Sequence, residues 1–136
     1  MSRMTFVNLP VQDLRRAVDF WRGLGFAFNR QFTDDNATCM VISDQACVML
    51  LVEKFFSTFT TRDITDTTTH AEVIMALSAE SREDVDTLVD KALATGGSPA
   101  NDPQEEEFMY SRSFHDPDGH LWELVYMDPA ALEQQG

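Results

Sequence analysis

Two stretches of the chain share one rhythm of apolar and polar positions: an alternating strand, a helical stripe, then several short strands. Thr5–Val11 alternates and is rich in strand-forming residues, which places Val7, Leu9 and Val11 on one face and Phe6, Asn8 and Pro10 on the other. Pro10 has no N–H for a ladder, so this strand lies at a sheet edge or ends there. The period then lengthens to that of a helix. Asp13 is placed to cap it, Leu14, Ala17, Val18 and Trp21 form its stripe, and Gly23 and Gly25 stop it. Strands are predicted over 27–32, 38–43 and 47–53, the last two joined by a hairpin turning near Asp44-Gln45.

The rhythm restarts with a predicted strand over 72–79. Ser81 caps a second helix with Asp84 in the capping-box position, Val85, Leu88, Val89 and Ala92 form its stripe, and Gly96-Gly97 closes it. Two or three strands follow. Strand, helix and three strands used twice predict an α+β fold of two βαβββ modules in one domain of 136 residues, with module one at about 4–54 and module two at about 71–128. The connector, about 55–70, holds Phe55, Phe56 and Phe59. These rings are expected to bury themselves, either on the domain's own surface or over a binding site as a lid.

The last predicted strand raises a chemical question. Asp116-Pro117-Asp118-Gly119 is strong turn chemistry, and the strand leaving it sets Leu121, Glu123 and Val125 on one face and Trp122, Leu124 and Tyr126 on the other. A carboxylate among apolar strand residues requires a cation, a metal or hydrogen-bond donors, so Glu123 is the candidate catalytic residue or else one half of a buried pair. Arg112 is the obvious cation. Its strand alternates so that Tyr110, Arg112 and Phe114 point one way, an arrangement suited to an anionic ligand with an apolar body or to shielding of the sheet. His115 and His120 flank the corner; on a strand, His120 and Glu123 fall on opposite faces.

This corner and strand, together with Val7-Asn8-Leu9-Pro10-Val11-Gln12-Asp13-Leu14 and Phe20-Trp21-Arg22-Gly23-Leu24-Gly25-Phe26, resemble the vicinal oxygen chelate superfamily of glyoxalases, bleomycin-resistance proteins and extradiol dioxygenases. The resemblance spans nearly the whole chain. It implies a cup-shaped mixed sheet with helices outside, a small organic ligand in the cup, and a homodimer. It also implies four metal-ligand positions, and matching the motifs places these at Phe6, Leu50, near Ile74, and at Glu123. Only Glu123 is competent to bind a divalent ion, so no metal cofactor is expected; Glu72, two residues before Ile74, leaves a weaker site open from Asn8, Glu72 and Glu123.

Composition narrows the alternatives. The net charge of −13 opposes nucleic-acid binding, and no apolar run is long enough to span a bilayer, so a soluble cytoplasmic protein is expected. Arg3, Arg15, Arg16, Arg22 and Arg30 outnumber Asp13 and Asp19 in the first thirty residues, which marks a contact surface or a solvated helix. Cys39 and Cys47 do not fall opposite each other in the predicted hairpin and read as two buried thiols; they lack companions at zinc-site spacing. Three functions remain: a metal-independent binder of a small organic molecule, an enzyme (a lyase or dioxygenase with a relocated metal, or an acid–base catalyst using Glu123), or an assembly surface.

Overall fold

The structure is a computed structural model that describes residues 3–130. Its first strand, β1 (Thr5–Val11), has the predicted bounds. Asp13 then turns the chain into α1 (Leu14–Gly23), its carboxylate accepting the Arg16 N–H at 3.1 Å. Gly25, at φ +98°, adopts a conformation open to glycine and releases the chain into β2 (Ala27–Asn29). The strand predicted to reach residue 32 stops three residues earlier, because the Asn29 side chain accepts the Gln31 N–H at 3.0 Å and folds 30–32 into a 3₁₀ turn. Next come β3 (Ala37–Ser43) and β4 (Ala46–Val52), joined by the expected turn at 44–45, then the short α2 (Glu53–Phe56) and a 3₁₀ turn, Ser57–Phe59.

These strands form an open four-stranded sheet in the order β1-β4-β3-β2, with β1 parallel to β4 and the other pairs antiparallel. Pro10 lies on the edge strand, where its missing N–H costs no ladder bond. Register assigns the faces. Leu9 pairs with Leu50 and Leu50 with Thr38, and this face, with Val11, Val48 and Met40, is buried. Helix α1 packs on β3 and β4, burying Ala17, Phe20 and Trp21; Phe20 takes the place expected of Val18, which is half-buried. Trp21 anchors the layer, its ring edge-on to Phe20 and Phe26 at centroid distances of 5.1 and 5.2 Å.

The chain divides after Thr65 into two compact units, and the second repeats the plan. Strand β5 (Ile74–Ser78) is shorter at both ends than predicted. Helix α3 (Arg82–Ala94) follows, capped by Ser81, whose hydroxyl accepts the Asp84 N–H at 3.0 Å. The return arm of the box reaches the Glu80 N–H rather than that of Ser81. Four strand segments follow where two or three were expected: β6 (Ser98–Pro99), β7 (Gln104–Glu105), β8 (Met109–His115) and β9 (Leu121–Met127). The order is β5-β9-β8-β6, with β7 also on β8 and β5 parallel to β9. Each sheet thus sets its first strand parallel beside its last. Val85, Val89 and Ala92 of α3 are fully buried, as are Phe114 and Trp122 on the strands beneath it.

The connector phenylalanines depart from expectation. Phe55 and Phe56 are half-buried, but Phe59 is 68% exposed, its ring contacting Phe55 edge-on at 5.0 Å. Cys39 and Cys47 are buried free thiols, diagonal neighbours on the sheet face of Phe6; burial, and then their mutual hydrogen bond, push Cys47 up to about 11.

Candidate functional site

Glu123 is positioned by the corner that precedes its strand. The Asp116 carboxylate is 5% exposed and accepts three hydrogen bonds: from the Asp118 N–H at 2.9 Å, the His120 N–H at 3.0 Å and the indole N–H of Trp122 at 2.9 Å. Burial raises its pKa above the ordinary aspartate value, and the charge of His120 and the Trp122 bond offset only part of that cost. Gly119 occupies φ +82°, and a Cβ there would stand 2.5 Å from the Thr67 hydroxyl, which donates to the Asp118 carbonyl at 2.6 Å. Glu72 pairs with Nδ1 of the buried His120. Segment 66–72 is therefore fastened to the corner by a hydroxyl and a carboxylate, and β9 leaves it in a defined register.

That register sets Glu123 between Ala76 of β5 and Ser113 of β8. Their face continues through Ile74, Ser78, Leu121, Val125, Ser111 and His115, away from α3. Glu123 is half-buried and borders a small depression of about 20 Å³ whose lining includes Asn101, Gln104, Ser111 and Ser113. Ser113 is held in turn, accepting the Asn101 N–H at 2.9 Å. Glu123 thus has amide and hydroxyl neighbours, a setting able to hold a polar group of a ligand against a carboxylate.

Arg112 also borders this depression, but its guanidinium is engaged on the α3 side of the sheet. It stands opposite Leu124, beneath α3, where its guanidinium donates to Asp86 at 2.9 Å and Asp90 at 2.8 Å. Tyr110 donates to the same Asp86 oxygen at 2.6 Å, and that bond and Arg112 together hold Asp86 below the ordinary aspartate range. Burial works against the charge of Arg112, but the two carboxylates outweigh it and raise its pKa. Phe114 is fully buried beside Trp122. The expected Glu123–Arg112 pair and the aromatic ligand surface of Tyr110, Arg112 and Phe114 are corrected here: these residues tie α3 to its sheet. Counting back from the corner contains the signal, since His115 opposite Leu121 puts Ser113, not Arg112, beside Glu123.

In the first unit, Phe6 and Asn8 are exposed on the face away from α1, with Phe6 at 55%. Leu50 is not with them; it lies 1% exposed on the helix side. The β4 residues that share the Phe6 face are Cys47, Met49 and Leu51, with Met49 directly beside Asn8. In the second unit Ile74 is 57% exposed, while Glu72 is engaged by His120 at the corner. Among the described residues, no three His, Cys, Asp or Glu side chains gather as a ligand set. At the matched positions phenylalanine and isoleucine offer no donor atom, and the β4 face beside Phe6 offers the thiol of Cys47 and the thioether of Met49. Asn101, Gln104 and the two serines escaped sequence reasoning, because what joins them is cross-strand pairing rather than spacing along the chain.

Two βαβββ units, each with its first strand parallel beside its last and a carboxylate on the final strand of the second, define an α+β protein of the paired-module class. The chain belongs to the glyoxalase/bleomycin resistance protein/dioxygenase superfamily, which it matches over residues 3–124. Solved structures agree. A hypothetical protein from S. aureus is 29% identical, with 93% of this chain and 95% of that one covered and a TM-score of 0.79. A glyoxalase/bleomycin resistance protein/dioxygenase family enzyme from Burkholderia phytofirmans is 15% identical (93% and 99% covered, TM-score 0.78), and a glyoxalase-related enzyme from Fulvimarina pelagi is 17% identical (93% and 88%, TM-score 0.77). These last two show the fold alone. No curated protein matches the chain in sequence.

Proposed function

We propose that this protein binds a small organic molecule on the open face of its second sheet, beside Glu123, without a divalent metal. The observation that carries the reading is the replacement of ligand chemistry by apolar surface: Phe6 stands 55% exposed where the resembled family's first metal ligand would be, and Glu123 alone retains a carboxylate. Ile74, 57% exposed on the face of Glu123, suits the apolar body of an organic ligand, and Glu123 with its serine and amide neighbours suits a polar group on it. The homodimer implied by the resemblance is part of this proposal and is checked by sedimentation.

The test is a thermal-shift screen of small organic compounds in the presence of a chelator, repeated on Ile74→Ser and Glu123→Gln. Compounds that raise the wild-type Tm under chelation but fail in both variants are the expected result. Near-stoichiometric nickel, zinc, manganese or iron retained after desalting by the wild type and lost by Glu123→Ala would overturn it and redirect work to lyase and dioxygenase assays.

A further inference from the structure

The first unit contains a cavity of about 380 Å³ on the α1 side of its sheet, the side opposite Phe6 and Asn8. Ligand pockets begin at roughly 300 Å³, so the space is large enough for a small organic molecule. Its walls are of two kinds. Val18 of α1 together with Phe26 and Phe28 supplies apolar surface, and Arg22 and Arg30 supply positive charge.

Two arginines line this cavity. Carboxylates outnumber basic side chains 23 to 10 in this chain, yet among the described residues no ion pair engages Arg22 or Arg30. Arg82 and Arg112, by contrast, are both paired with carboxylates. The Arg22 guanidinium lies 5.7 Å from the ring centroid of Phe28, itself a wall of the cavity, a contact that leaves its N–H groups available. Two unpaired guanidiniums at one cavity in an acidic protein provide charge complementarity for an anion.

The threonines define the recognition further. Thr33 has one hydroxyl hydrogen and gives it to the Asn29 carbonyl at 2.8 Å, so the 2.9 Å bond between Thr33 and the buried Thr38 must be donated by Thr38. Both hydroxyl hydrogens are thus spent, and these side chains present only lone pairs to the cavity. Hydrogen-bond donation to an occupant falls to Arg22 and Arg30. We infer that this cavity is a second binding site, specific for a small organic anion with an apolar body, the anionic group held between Arg22 and Arg30 and the body against Val18 and Phe26.

The test is a titration of the full ¹⁵N-labelled chain at low ionic strength with phenyl phosphate, inorganic phosphate and benzyl alcohol, followed by amide chemical shifts. Phenyl phosphate is expected to saturate, with the largest shifts at residues 18–38, and to bind at least about tenfold more tightly than either of the other two probes. Arg22→Gln and Arg30→Gln, both exposed positions, are each expected to weaken it by at least about fivefold without altering the spectrum elsewhere. Glu123→Gln is expected to bind it as the wild type does, which separates this site from the open sheet faces. Failure to saturate at about 10 mM, shifts centred on 111–125, affinity unchanged in the glutamine variants, or inorganic phosphate or benzyl alcohol binding as tightly as phenyl phosphate would each overturn the assignment.

Discussion

Asp116 shows how a single residue can hold a strand in place at an electrostatic cost. Its three hydrogen bonds fasten the corner before β9, yet burial raises its folded pKa above the ordinary value of 3.8. A folded pKa above the unfolded one means that the folded state takes up a proton first as pH falls. The associated stability is therefore fully present below the unfolded value and is lost as pH rises through the folded one. Asp116→Asn removes that titration and turns an amide N–H₂ toward either the indole N–H of Trp122 or the backbone donors. It is expected to cost about 1–3 kcal/mol at neutral pH, with a gap to wild type that widens on acidification toward about pH 4. Urea unfolding at both pH values measures this; a gap that is constant, or larger at neutral pH, refutes it. The turn was legible from Asp-Pro-Asp-Gly, because turn chemistry is local. Which of its two aspartates faces inward was not, since that depends on Trp122 returning over the corner.

At the scale of elements, helix ends were the most legible features and helix partners the least. Asp13 and Ser81 cap α1 and α3 as their positions predict, because a cap requires only a side-chain oxygen and the amides two or three residues ahead. Ser81→Ala is expected to lower stability by about 1 kcal/mol, read as a lower urea midpoint with unchanged slope. An unaltered midpoint would mean that the Asp84 bond to the Glu80 N–H holds the helix start by itself. By contrast, Asp86 and Asp90 are one turn apart on α3 and read alone as solvated charges, although they meet Arg112 from β8. Alternation along β8 tells which residues share a face but not which face the helix covers, so the partners of Arg112 on α3 are not legible from it.

At the scale of the whole molecule, charge governs behaviour in solution. A net charge of −13 with a sequence pI near 4.3 opposes non-specific association at neutral pH, and that repulsion is lost on acidification. Solubility is expected to pass through a minimum near pH 4.3 and recover at about pH 7; light scattering across that range checks it, and a minimum well above pH 5 would show that surface patches rather than net charge control association. Among the described residues, no helix is long and apolar enough to cross a membrane.

The sequence by itself determined the class of fold, the twice-used order of strand, helix and strands, the caps and the corner, because each rests on periodicity or on chemistry between near neighbours in the chain, and it carries the motifs that resemble the family. Only the tertiary structure decided what surrounds Glu123. A strand's alternation is symmetric between its two faces, and that symmetry is broken by cross-strand register and by the side on which a helix packs. Register put Ser113 and Ala76 beside Glu123, helix packing sent Arg112 to Asp86 and Asp90 and set Leu50 under α1, and the corner holds Glu72 at His120.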